Sequence, residues 1–210
     1  MIECNLFQLL VIMTTKEKQK EAEEFFFEGL DCWNEDDIDG AIECLLKSVE
    51  LDPEYVDAWF NLGNCYYSGK GDFETALKYW QKALEISPDG VDVWYNLGNA
   101  YRERGEHDKA IESYKKAVEI DPKDHESWNN MGNSYLGMGD HKSAIENWKK
   151  ALEIKPDKVE SMWNLALTYF KLGEFALAIE YIEKAKTYYP DSWRLNELLA
   201  DVKKAKESQK

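Results

Sequence analysis

Along most of the chain, apolar residues recur at intervals of three and four, the spacing that lines one face of an α-helix. Trp94, Leu97, Gly98 and Tyr101 form one such stripe, and Ala110, Tyr114 and Ala117 form the next. Glycines stand between paired stripes at Gly71, Gly105, Gly139 and Gly173, where a tight turn is needed. Prolines follow the second stripe of each pair at Pro53, Pro88, Pro122, Pro156 and Pro190. Proline lacks an N–H and disfavours helix in the residue before it, so these positions close each pair. The pattern predicts helices over 22–35, 38–51, 56–69, 73–86, 91–104, 107–120, 125–138, 141–154, 159–172, 175–188 and 193–206, and no β-sheet within 56–190.

The stripes repeat as a unit. Residues 91–124 and 125–158 align with a period of 34 residues, 159–192 align again, 56–90 align with one extra residue near Gly69, and 22–55 align more loosely. Residues 1–21 are then an N-terminal segment, loosely packed or an extra helix, and 193–210 a capping helix with a polar tail. Small residues recur in mid-helix at Gly29, Gly63, Gly98, Gly132 and Ala166, with Ala41, Ala76, Ala110, Ala144 and Ala178 expected to face them so that paired backbones approach closely. Large rings such as Trp94 and Trp128 are expected to fill the gaps between hairpins. One hairpin cannot bury its apolar face alone, so neighbours must stack.

The pattern W-x2-L-G-x2-Y, followed by a turn Gly, A-x3-F/Y-x2-A and Pro, resembles the tetratricopeptide repeat, and it covers residues 22–190 and most of the last helix. The first unit departs most, with Phe25, Glu28, Cys32 and Asp36 at pattern positions; the last has Met162 and Ala166. The extra residue in Ser68–Asp72 suggests a longer turn between helices. The resemblance implies an all-α solenoid, a right-handed superhelix of hairpins whose first helices line a concave face that holds a peptide or helix of another protein.

Between the core positions, the first helices carry rows of candidate groove residues. One row is Phe26, Phe60, Tyr95, Asn129 and Trp163; the next includes Asn61, Asn96, Asn130 and Asn164; a third includes Asn64, Asn99 and Asn133. Asn is a mediocre helix former. Its amide both donates and accepts, so such rows either bond a peptide backbone or tie adjacent repeats together. The opening position is acidic throughout, at Glu23, Asp57, Asp92, Glu126 and Glu160. Some relatives in the family hold a terminal carboxylate with Lys, Arg and Asn. Here Asn61 and Asn96 are present, but Arg102, Arg104 and Lys171 are the only bases on the first helices after the leading segment. The expected partner is therefore a protein or peptide, neutral to basic, with an apolar anchor.

Charge narrows the classes further. The formal net charge is -15, and residues 1–54 hold 15 acids against 4 bases. Nucleic acid and anionic membrane both need a positive field, so neither is an expected partner. Cys4, Cys32, Cys44 and Cys65 form no CxxC pair and read as small apolar filler in a reduced, cytoplasmic setting, although a hairpin places Cys32 and Cys44 near each other. The apolar run Ile2–Met13 lacks the basic flank of a signal peptide. His107, His125 and His141 form no HExxH, no Gly-rich phosphate loop is present, and Asn34–Gly40 lacks EF-hand spacing. No catalysis, cofactor or metal is expected. The leading function is a non-catalytic scaffold and adaptor, a monomer that binds a partner segment. The alternative is a self-assembling structural protein or homodimer joined through its terminal helices, the last carrying Trp193, Leu195, Leu198, Leu199 and Val202 on one face.

Overall fold

The computed structural model describes the backbone of residues 2–208 and the side chains of residues 14–208. The packing of residues 1–12 and the environment of Cys4 lie outside the described side chains.

All regular structure among the described residues is helical. The helices are α1 (Ile2–Asn34), α2 (Ile38–Leu51), α3 (Val56–Asn64), α4 (Phe73–Ile86), α5 (Val91–Glu103), α6 (His107–Ile120), α7 (His125–Gly137), α8 (His141–Ile154), α9 (Val159–Lys171), α10 (Phe175–Tyr188) and α11 (Trp193–Glu207). From α2 onward each begins and ends within one residue of its predicted bound, counting α3 together with the turn that extends it. The first helix differs: its backbone runs unbroken from Ile2, so residues 2–21 prolong it.

The chain divides into two compact units, residues 1–93 and 94–210. In the first, Phe26, Leu45, Val49 and Leu62 anchor a core between α1, α2 and α3. In the second, one cluster gathers Ile111, Tyr114, Val118 and Met131, and another gathers Trp148, Leu165, Ile182 and Leu195.

Turn chemistry sets where each second helix begins. Gly105, Gly139 and Gly173 adopt φ of 75°, 79° and 78°, a region that costs a side chain strain. In the first hairpin Asp36 holds this conformation at φ 66°, and Asp is among the few residues that tolerate it. Asp72 and Asp140 then cap α4 and α8, accepting the backbone N–H of Thr75 at 3.1 Å and of Ser143 at 3.0 Å. The hydroxyls of Thr75 and Ser143 donate to the same carboxylates, and these bonds hold both Asp side chains below the usual carboxylate range.

The extra residue of the second repeat does not lengthen the turn between helices, as the sequence suggested. It is absorbed as a π-helical turn, Cys65–Gly69, that extends α3. Such one-residue insertions widen a helix locally without disturbing the register beyond it. Here the wide turn sets Gly69 against the Ile38 side chain and brings Lys70 to Asp39 at 2.5 Å.

The packing of the small residues also differs from expectation. Three of the mid-helix glycines are covered by rings of the second helix, whereas Gly29 meets Leu45 and the Ala41 carbonyl. A Cβ on Gly63 would lie 2.3 Å from the Trp80 ring, on Gly98 2.4 Å from Tyr114, and on Gly132 2.6 Å from Trp148. Trp80, Tyr114 and Trp148 are accordingly the largest fully buried side chains. Trp128, expected in the core, is half-buried, and so is Trp94. The Trp59 and Trp128 indoles donate to the carbonyls of Pro53 and Pro122 at 2.8 and 3.1 Å, tying each first helix to the turn before it.

Candidate functional site

The seven candidate asparagines have a structural logic that begins with those buried rings. An indole N–H or phenol O–H taken out of water needs an acceptor. Trp80 Nε1 donates to Asn64 Oδ1 at 3.2 Å, Tyr114 Oη to Asn99 Oδ1 at 2.7 Å, and Trp148 Nε1 to Asn133 Oδ1 at 3.0 Å. The first and fifth repeats bury Leu45 and Ile182 where the others bury a ring, and they carry Leu30 and Leu167 where the others carry Asn. Amide and polar ring therefore occur together.

The neighbouring row completes a relay in the second unit. Asn130 Nδ2 donates to Asn99 Oδ1 at 2.9 Å, and Asn164 Nδ2 donates to Asn133 Oδ1 at 2.9 Å. Each acceptor oxygen thus uses one lone pair on the ring of its own repeat and one on the amide of the next. Asn130 is nearly saturated: its amide nitrogen also reaches Tyr95 Oη at 3.3 Å, and its oxygen accepts from Asn129 Nδ2 at 3.2 Å. Asn61 follows a repeat that offers Leu30, and it donates instead to the Asp57 carbonyl of its own helix at 2.8 Å. The helix α11, which follows Leu167, carries Leu198 at this position. Asn96 is half-buried on α5.

Other candidates divide by exposure. Asn129, placed in a groove row by sequence, is fully buried; its oxygen accepts from Ser161 Oγ at 2.8 Å and its amide donates to Glu160 at 3.2 Å. Phe26 is also buried. Phe60, Tyr95 and Trp163 are half-buried and keep part of their rings open. Asp57 and Asp92 are exposed. Glu126 is not a free charge. Lys158 Nζ lies 2.6 Å from the Glu126 Oε1 and 2.5 Å from its Oε2, and the lysine side chain is only 13% exposed. Counting bases on the first helices missed Lys158 because it is the N-cap residue of α9, outside the helix proper. Burial pushes the Tyr114 phenol above its ordinary range, and the positive charge of Arg102 opposes that shift.

Trp163 walls a cleft of about 360 Å³, with Val159 and Glu160 of α9, Tyr189 and Ser192 of the turn between α10 and α11, and Arg194 and Leu195 of α11. The indole and phenol give apolar faces, Glu160 a carboxylate and Arg194 a guanidinium. Sequence reasoning named Trp163 but not its partners in the turn and last helix. Among the described residues, no group of three or more His, Cys, Asp or Glu is arranged to hold a metal ion, and no helix is long and apolar enough to cross a membrane.

Models of the TPR repeat match residues 35–69, 70–102 and 98–139, and a tetratricopeptide repeat model matches 124–191. An uncharacterised protein of Methanocaldococcus jannaschii is 42% identical over 45 residues, which are 21% of this chain and 52% of that protein, so the match spans about half of the relative's length. Among solved structures, MamA is 26% identical with a TM-score of 0.72, the match covering 79% of this chain and 96% of that one. PilF of Pseudomonas aeruginosa is 20% identical with a TM-score of 0.76, over 91% and 90% of the two chains. YrrB, described as a TPR protein with an unusual peptide-binding site, is 24% identical with a TM-score of 0.69, over 90% and 95%. The fold class is thus an all-α solenoid of helical hairpins.

Proposed function

Because the chain belongs to the tetratricopeptide repeat family, we propose that it is a non-catalytic scaffold that holds a segment of a partner protein on the faces of its first helices. The cleft beside Trp163 carries this reading. It joins a part-open indole and the Tyr189 ring, which is 60% exposed, to charges of both signs. A peptide side chain with an apolar body fits the rings, while its flanking polar groups meet Glu160 and Arg194. YrrB, in the same fold, has a peptide-binding site by description; that supports the class of ligand and not its sequence.

The amides take a smaller share than their number suggests. Asn130 is committed to protein partners, so backbone bonding in the second unit falls to the groups without a bond among the described residues: Asn99 Nδ2 and Asn164 Oδ1. Asp57 and Asp92, exposed and in no ion pair among the described residues, favour a neutral to basic segment. Such attraction is long-ranged and weakens with salt.

Panning a displayed random-peptide library on the full chain tests the proposal. Enriched peptides should carry an aromatic or aliphatic anchor, and Trp163→Ala should weaken them about tenfold or more, as loss of a central aromatic contact does, with the helical circular dichroism kept. Peptides that bind Trp163→Ala and wild type alike would remove the cleft from the site.

One observation favours the self-assembly alternative: Trp193 is 67% exposed at the start of α11. Light scattering after size exclusion separates the two. Scaffold function expects a mass that does not change with concentration, and assembly expects a rise that Trp193→Ser abolishes.

A further inference from the structure

The second and fifth repeats share a feature that the third and fourth lack. Each stacks two tyrosines between its helices: Tyr66 on Tyr79 with ring centroids 5.3 Å apart, and Tyr169 on Tyr181 at 5.8 Å. The third and fourth carry Ser113 and Asn147 where these repeats carry Tyr79 and Tyr181. In the second repeat an indole extends the stack. Trp59 lies 5.9 Å from the Tyr79 ring with the planes 25° apart, and its N–H donates to the Pro53 carbonyl at 2.8 Å. In the fifth repeat Met162 stands where the second has Trp59. Pro156 precedes Met162 by the same six residues, yet its carbonyl accepts no hydrogen bond among the described residues.

A cavity of about 520 Å³ opens there, between α8 and α10, bounded by Leu152, Pro156, Met162 and the Tyr181 ring. Its charged lining is mostly compensated. Lys184 pairs with Glu180 at 2.7 Å and lies 4.9 Å above the Tyr181 ring, and Glu153 pairs with Lys150 at 2.6 Å. Lys149 is in no ion pair among the described residues; its Nζ lies 5.7 Å above the Tyr169 ring. The charge left over in this lining is therefore positive, in a chain whose net charge is -15.

We propose that this cavity is a second binding site, which takes a tryptophan side chain of a partner protein with a carboxylate beside it. The indole does there what Trp59 does in its own repeat. Its face packs on Tyr181, its N–H donates to the Pro156 carbonyl, and the neighbouring carboxylate meets Lys149. Met162 is unbranched and adaptable, so it yields to a ring. Lys184 holds the ring face only by an exposed cation–π contact, a weak one, and its long stem lets it swing aside. The cavity shares no lining residue with the cleft beside Trp163, and its ligand carries the opposite charge, so the inference does not rest on that reading.

The full chain, labelled with carbon-13 at its methionine methyls, is titrated with the peptide acetyl-Gly-Trp-Glu-Gly-amide, and affinity is read by calorimetry. The Met162 methyl resonance, assigned from Met162→Leu, should shift saturably, while those of Met131 and Met138 stay still. Replacing the peptide's tryptophan by benzothienylalanine keeps the ring and removes the N–H. It should weaken binding about fivefold, the loss of one hydrogen bond, and Lys149→Ala should weaken it by a similar factor. Met162→Trp should abolish binding and raise the melting temperature, because the chain's own indole then fills the cavity. Trp163→Ala should leave binding unchanged. A Met162 resonance that does not move, binding that survives Met162→Trp, or a melting temperature lowered by that substitution would overturn the proposal. So would a Met162 resonance that moves with protein concentration alone until Trp193→Ser stops it, since the occupant would then be a second copy of this chain.

Discussion

At the residue scale, the informative fact is that an asparagine accompanies each of the fully buried rings Trp80, Tyr114 and Trp148. Tyr114 Oη donates to Asn99, and Asn130 donates to the same oxygen. Asn99→Leu should therefore cost about 1–3 kcal/mol in urea unfolding, because it strands a buried hydroxyl and a buried amide. Tyr114→Phe in that background should lose less than the two single changes added together, since the hydroxyl no longer lacks an acceptor. A strictly additive cycle would show that the two groups do not act as a pair. Part of this was legible in the sequence. Leu30 with Leu45, and Leu167 with Ile182, replace amide and ring together, but the pairing shows only once it is known which position of the second helix covers which position of the first. The same gap hid the role of Gly63, Gly98 and Gly132, which were read against alanines and are covered by rings.

At the element scale, periodicity located the helices and turns well because each boundary has its own chemistry: a left-handed glycine, a capping aspartate, a proline. The first turn is the exception, with Asp36 at φ 66°. Asp36→Gly should raise stability by about 0.5–1 kcal/mol by removing the strain of a side chain in that region, read as a higher urea midpoint; a lower midpoint would mean that the Asp36 side chain holds the turn. Ring burial gives an ordering: Trp148→Ala should cost about 3–5 kcal/mol, and Trp128→Ala less, because Trp128 is half-buried. Equal losses would contradict the division between core and turn-tying rings. The caps give a pH dependence. Asp72 and Asp140 have carboxyls lowered by their hydroxyl and backbone bonds, so their contribution is complete above the ordinary aspartate range and is lost as pH falls through the lowered values. Asp140→Asn should flatten that part of the acid limb of a pH–stability curve; an unaltered limb would show that the cap is not what titrates. What the pattern could not place was the extra residue, since a count locates an insertion in a repeat but not on which side of a helix end it is absorbed.

At the scale of the molecule, a repeat array is held by contacts between neighbours, so one interaction repeated along the chain decides both its stability and the surface that remains for a partner. A net charge of -15 keeps that surface acidic, although Lys158 neutralises Glu126 within it. The central claim is that the amide relay joins repeats while part-open rings and a cleft receive the ligand. Asn130→Ala tests it most directly, because Asn130 touches Asn99, Tyr95 and Asn129 at once. Its unfolding midpoint and its affinity for a panned peptide are measured together. The account predicts a stability loss of about 1–3 kcal/mol with the affinity of the folded protein unchanged. An unchanged midpoint with the affinity lost would show that this amide serves the ligand and not the repeats.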